Sequence, residues 1–278
     1  MANIPQRVSE RLVTGIKKFK PVLAAAYDNK ANESNTVIII TAMLSEVFGY
    51  DTFKEITSEI AIRGTFCDLA TKIDEKIQSL IEAKAISQEL KDIHVMQAVS
   101  YASNQGVDWV VLTNGMHWHI YKVTFAKPID HEKIIEINFL DVDHHNIAHL
   151  EMLFRLTKEG WEKSALKDYY QQKQALSKFS IGAILSTDAV LNLIRKNLRL
   201  ISPDAKINAE QIRSVLENEV ITKEVLEGDK ADEARRKIAK ALKKLEKESE
   251  EETPTQMIQK AAENIPVTLP IAPAPPPA

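Results

Sequence analysis

Residues 55–84 read EITSEIAIRGTFCDLATKIDEKIQSLIEAK, and the fold turns on this stretch. EITSEIAI, TFCDLATKI and KIQSLIEAKA are rich in β-branched residues and are separated by Arg63-Gly64 and Asp74-Glu75. β-branched side chains suit a pleated surface, and the Gly- and Asp-bearing pairs suit turns. The spacing predicts a three-stranded antiparallel meander. Asp68 falls on its second strand, and Glu82 and Lys84 fall on its third. Side chains on a strand alternate between faces, so Glu82 and Lys84 point the same way, and an antiparallel neighbour can set Asp68 beside Glu82.

Upstream, NESNTVIIITAMLSEVFGYD reads as a helix capped by Asn32 or Ser34, with Gly49 just past its end. Ile40, Leu44, Val47 and Phe48 give it a core face, and Glu46 sits in the last turn, where the helix dipole offers a carboxylate nothing. Residues 1–30 form a basic amphipathic helix with Val8, Leu12, Ile16 and Phe19 inward and Lys17, Lys18 and Lys20 in solvent. Downstream, SQELKDIHVMQAVSYASNQG reads as a helix capped by Ser87 and stopped by Gly106. VDWVVLTNGMHWHIYKV is a hairpin about Asn114-Gly115, the pair that best tolerates a type I′ turn. KIIEINFL alternates Ile135, Ile137 and Phe139 against Glu136 and Asn138, a further strand. Helix, three strands, helix and strands make an α/β domain with a mixed sheet flanked by helices.

From 144 to 250 the pattern is helical. Leu150, Leu153, Phe154, Trp161, Leu166, Tyr169 and Tyr170 form an apolar side, and TDAVLNLIRKNLRL starts at a Thr187 or Asp188 cap. The expected division is an N-terminal helix (1–30), an α/β domain (31–143), a helical region (144–250) and a tail (251–278). The tail holds seven of the eleven prolines and cannot build a core, so it is expected to be disordered. A single cysteine, Cys67, excludes a disulfide framework and a Cys-rich zinc site, and favours a reducing cytoplasm. No secretory signal is expected at the start, and the apolar run VIIITAML falls far short of the roughly 20 residues of a membrane span. A net charge of −3 gives no global pull toward nucleic acid, so any such binding needs a local basic surface.

The chemistry lies in the meander. Two carboxylates held as close as Asp68 and Glu82 repel unless a cation lies between them, and Mg²⁺, with Mn²⁺ as substitute, suits oxygen ligands. Lys84 adds a fixed ammonium that can orient an attacking water or stabilise charge on a phosphorane, the parts that phosphodiester hydrolysis needs. The plainer reading is a charge cluster with Lys84 as the salt-bridge partner. Against it, Glu82 follows the apolar run SLI, where a buried strand would otherwise continue. Gln97 and Tyr101, four apart on a helix, share one face and can reach a phosphate or the lysine. Glu59 is a further acidic strand residue. Asp141, Asp143, His144, His145 and His149 form a dense patch read as a loop or helix start, since no spacing there matches H-E-x-x-H and adjacent histidines rarely bind one metal together. His117 and His119 share a face of the hairpin, and RRKIAKALKKLEK reads as a solvated helix or a self-association surface.

Taken in order, TVIIITAMLSEVFGYD, TFCDLA, SLIEAKA and QAVSYASNQGVDWVVLTNGMHWHIYKV resemble the N-terminal nuclease domain of type I restriction enzyme R subunits, a branch of the PD-(D/E)xK nucleases. The resemblance covers residues 36–125. It implies a restriction-endonuclease-like fold and a Mg²⁺-dependent endonuclease acting on double-stranded DNA in a restriction system. It also implies Asp68, Glu82 and Glu46 as metal ligands, Lys84 as the catalytic lysine, and Gln97 and Tyr101 as the Q-x-x-x-Y pair. The LTNG hairpin followed by Trp118 belongs to the same resemblance. No G-x-x-x-x-G-K element for an ATP-driven motor occurs, so a stand-alone nuclease domain is expected. The alternative is a non-catalytic nucleic-acid-binding or scaffold protein that keeps the fold. The helical region would supply any homo-oligomer or protein contact, with no membrane partner. Because the tail contributes no core, a chain ending at Glu252 is expected to melt at the temperature of the full chain in a thermal scan.

Overall fold

The computed structural model describes residues 4–62, 65–125 and 128–251, so the Arg63-Gly64 turn and the Pro-rich tail lie outside the described residues. The chain divides into two compact units, 1–171 and 172–278. The first holds a six-stranded mixed sheet in the order β1-β2-β3-β4-β5-β6. Its strands are β1 (Ile56–Ile62), β2 (Thr65–Ile73), β3 (Lys76–Ala83), β4 (Trp109–Thr113), β5 (His117–Thr124) and β6 (Asp130–Asn138). β1, β2 and β3 form the antiparallel meander. Asp74 and Glu75 both take positive φ, 48° and 60°, between the paired Ile73 and Lys76, which is a two-residue type I′ turn. β3 and β4 run parallel, joined by the crossover helix α3 (Asp92–Gln105).

Two apolar clusters sandwich the sheet. On one face α1 (Gln6–Asp28) and α2 (Glu33–Glu46) bury Leu12, Ile16, Leu23, Ile40 and Met43 against Ile81, Val111, Trp118 and Ile120. On the other, α3 packs Val95, Ala98 and Tyr101 over Ala70, Leu80, Val110 and Tyr121. Asn32 caps α2 by accepting from the Asn35 N–H at 2.9 Å, and Gly49 follows the helix with φ 83°. That conformation lets Arg11 lie against Gly49 and bond both carboxylate oxygens of Glu159, at 2.7 and 2.6 Å, and the Val47 carbonyl.

The unit boundary falls elsewhere than expected. Leu150, Leu153, Phe154 and Leu166 belong to the same buried cluster as α1 and the sheet, and Trp109 meets Trp161 and Tyr170 edge-on at 6.1 and 5.9 Å. Residues 1–30 and 144–171 are therefore parts of the α/β unit, because apolar faces on both flank the same side of the sheet. In the second unit Thr187 is the N-cap of α8 (Asp188–Ile201). The charged run RRKIAKALKKLEK lies on α11 (Asp229–Glu251), which buries Ala231 and Ala234 and packs against α7 (Lys178–Leu185).

Two local expectations are corrected by one side chain. The hairpin turn centres on Gly115 and Met116, with positive φ at Gly115 alone, instead of a type I′ turn at Asn114-Gly115. α3 starts at Asp92, not after a Ser87 cap. Asn114 is the reason for both. Its amide donates to the Ile86 and Gln88 carbonyls at 3.1 and 3.0 Å, while its oxygen accepts from the Met116 and His117 N–H groups. The hairpin thus pins 86–88 as an irregular segment that cannot enter a helix. Asn114 is 2% exposed, so Asn114→Ala strands the buried Ile86 carbonyl and the buried Met116 N–H. The variant is expected to lose about 1–3 kcal/mol in urea denaturation.

Candidate active site

β3 is buried from Ser79 to Ala83, having a sheet neighbour on each side and an apolar cluster on each face. Leu80 points to the α3 side, and by alternation so does Glu82, which is only 6% exposed. Asp68 approaches from β2, where its Oδ2 accepts from the Ala83 N–H at 2.7 Å. Lys84 continues β3 past its end, since its N–H donates to the Thr113 carbonyl at 2.9 Å. Its ammonium donates to Glu82 Oε1 at 2.7 Å and lies 3.7 Å from a Glu33 carboxylate oxygen. Tyr101 closes the site from α3, buried at 2% exposure. Gln97 is one turn earlier on the same helix and exposed.

The structure therefore brings Asp68, Glu82, Lys84 and Tyr101 together, and it departs from the sequence reading at Glu46. Glu46 ends α2 and forms an ion pair with Lys18 of α1. Glu33, at the start of the same helix, is the residue that reaches Lys84. The two are 13 positions apart, roughly 20 Å along a helix, so Glu46 cannot share a cation with a site that Glu33 adjoins. An acidic residue in the first turn of a capped helix is ordinary, and for that reason Glu33 carried no signal of its own. Glu59 lies on β1 between the Ser58–Leu69 and Ile60–Cys67 pairs, and its side chain is outside the described residues.

The electrostatics follow from this packing. Burial pushes the Glu82 carboxyl above its ordinary value, the Lys84 hydrogen bond pulls it back, and the Asp68 and Glu33 charges push it up again. For Lys84 burial acts downward, but the Glu82 hydrogen bond and the charges of Glu82, Glu33 and Asp68 hold the ammonium above the usual lysine value. Burial, then the charges of Glu82 and Asp68, lift the Cys67 thiol to about 12, so it is inert beside the site. The Tyr101 phenol is raised by burial and by the nearby Cys67 and Glu82 charges.

The donor set fits a hard divalent cation. Glu82 Oε2 and Tyr101 Oη are the buried side-chain polar atoms that lack a hydrogen-bond partner among the described residues, and both belong to this site. A buried carboxylate oxygen left without a partner is costly. Three carboxylates, Asp68, Glu82 and Glu33, also surround one ammonium, an excess of negative charge that an oxygen-coordinated cation would balance.

A mixed six-stranded sheet flanked by helices thus carries Glu82 near the end of its buried third strand, Lys84 just beyond it and Asp68 on the antiparallel neighbour. Residues 39–137 match the family described as the type I restriction enzyme R protein N terminus, in agreement with the resemblance drawn from the motifs. The match spans β1 to β6 almost entirely and includes Asp68, Glu82, Lys84, Gln97 and Tyr101, whereas Glu33 precedes it. No curated protein and no solved structure matches the chain.

If the site takes a cation, the raised Glu82 pKa sets the pH dependence of its binding. Its proton must leave before the carboxylate can coordinate, so affinity would rise with pH and reach its plateau only above the ordinary carboxylate range. Mn²⁺ titrations at several pH values are expected to show affinity climbing about tenfold per pH unit below that pKa and levelling off above it. Glu82→Gln should flatten the profile.

Proposed function

We propose that the first unit is a Mg²⁺-dependent endonuclease domain of restriction type, hydrolysing phosphodiester bonds of double-stranded DNA, with Mn²⁺ able to replace Mg²⁺. The observation that carries this reading is the Glu82 carboxylate, with one oxygen on the Lys84 ammonium and the other buried without a partner beside Asp68. The family match supports the nuclease class. Asp68 and Glu82 would hold the ion, with Glu33, at the opposite end of α2, in the role first assigned to Glu46. When bound, the ion supplies positive charge to the phosphate and makes a water nucleophilic at neutral pH.

The chain's own groups do the rest. Lys84 stays protonated at neutral pH, so its ammonium can orient the water and meet the negative charge that gathers on the phosphate oxygens. Glu82 Oε1 fixes that ammonium in place, and the backbone bond to Thr113 fixes the residue that carries it. The Tyr101 phenol is neutral at pH 7 and offers a hydrogen-bond donor to the carboxylates or the phosphate. Gln97, one turn away and exposed, would contact the DNA backbone.

Nicking of supercoiled plasmid with and without Mg²⁺, together with calorimetric Mn²⁺ binding, tests the assignment. Asp68→Ala and Glu82→Ala are expected to lose both ion binding and cleavage. Lys84→Ala should keep the ion but lose cleavage by two or more orders of magnitude, roughly 3 kcal/mol of transition-state stabilisation. Glu33→Gln should weaken the ion and leave the fold intact, whereas Glu46→Gln should leave ion affinity unchanged. Normal cleavage by Lys84→Ala would reduce the cluster to a structural charge network.

A further inference from the structure

The loop Val142–Asn146 joins the turn Phe139–Asp141 to α4 (Ile147–Phe154) and uses none of the residues of the Glu82–Lys84 site. Its backbone is fixed at several points. Val142 is buried, the Asp143 N–H donates to His149 Nδ1 at 2.9 Å, and the His145 N–H donates to Asp143 Oδ1 at 2.9 Å. The Asn146 N–H donates to the Asp143 carbonyl at 3.1 Å, and Asn146 caps α4 by accepting from the Ala148 N–H. On this frame three side chains converge. One ligand atom each of Asp143, His144 and His145 lies within 4.8 Å of the other two, with His144 Nδ1 4.0 Å from Asp143 Oδ1. The two imidazole rings are 4.0 Å apart at their centroids and tilted by 40°.

We propose that Asp143, His144 and His145 form a second metal site, selective for a borderline transition ion such as Zn²⁺ over Mg²⁺. Zinc takes imidazole nitrogen and carboxylate oxygen at about 2.0–2.2 Å, which sets ligand atoms roughly 3.3 Å apart. The three atoms need to close by no more than about 1.5 Å from where they stand, within reach of side-chain torsions at a solvent-facing loop. A carboxylate oxygen and two imidazole nitrogens converging on one point make the mixed donor set that a borderline ion takes. His149 is outside the set, because its Nδ1 already accepts from the Asp143 N–H. Mg²⁺ prefers an all-oxygen shell and keeps its waters, so it is a poor fit for two imidazoles. Three protein ligands leave a fourth position open, and the Lys17 and Lys20 charges that reach His144 favour an anion there.

The test uses the full chain with Mg²⁺ saturating the carboxylate site. Calorimetry with ZnCl₂ is expected to show one ion per chain, and Co²⁺ should give the visible absorption of nitrogen coordination. His145→Ala and Asp143→Ala should each weaken Zn²⁺ by roughly tenfold or more, with circular dichroism unchanged, and Glu82→Gln should leave Zn²⁺ affinity as it was. Two results overturn the proposal: no Zn²⁺ uptake by the wild-type chain, or uptake that survives the double change His144→Ala, His145→Ala. Because the readout is binding, the outcome is independent of whether the chain cuts DNA.

Discussion

A carboxylate placed where a strand is buried on both faces is the constraint around which the first unit is built. Taking an ionised group out of water costs several kcal/mol, and taking its lysine partner with it adds a second penalty that their attraction does not reliably repay. The Glu82–Lys84 pair, with side chains 7% and 15% exposed, is thus a burden on stability and not a source of it. The apolar clusters on the two faces of the sheet carry that burden, each burying a dozen or more side chains. At about 25 cal/mol per Å² of apolar surface removed from water, a handful of such side chains outweighs the pair.

Position matters as much as stability. β3 is antiparallel to β2 and parallel to β4, so Glu82 has a fixed register on both sides, and the Lys84 N–H extends that register one residue beyond the strand. Past Lys84 the chain is fastened by Asn114, reaching across from the next hairpin. The lysine is therefore held by backbone and side-chain bonds from a different part of the sequence. That preorganisation is what a group meeting charge in a transition state requires.

The elements with a strong periodic or turn signal were legible in the sequence: the meander, its Asp74-Glu75 turn, the Asn32 cap and the Gly106 stop. Asp68, Glu82 and Lys84 were legible because strand alternation and one antiparallel pairing suffice to bring them together. What escaped depended on contacts between distant segments. Ser87 has the chemistry of a cap, but two carbonyls beside it are claimed by a side chain 26 and 28 residues away. Glu46 and Glu33 lie at opposite ends of one helix, and only the direction in which α2 crosses the sheet decides which end meets Lys84. The helices after 144 look like one region in periodicity, although the first of them share a core with α1.

The contribution of α1 has a consequence for anyone moving this domain into another protein. The family match runs from 39 to 137, yet Val8, Leu12, Ile16, Phe19 and Leu23 are all buried in the cluster beneath the sheet. Arg11 also ties the end of α2 to Glu159, beyond the other limit of the match. A transplant cut at the matched limits would leave an apolar sheet face open to water, the kind of surface that drives chains together. The smallest portable piece is set by the core and not by the motif, and it runs from the first turn of α1 to about residue 171.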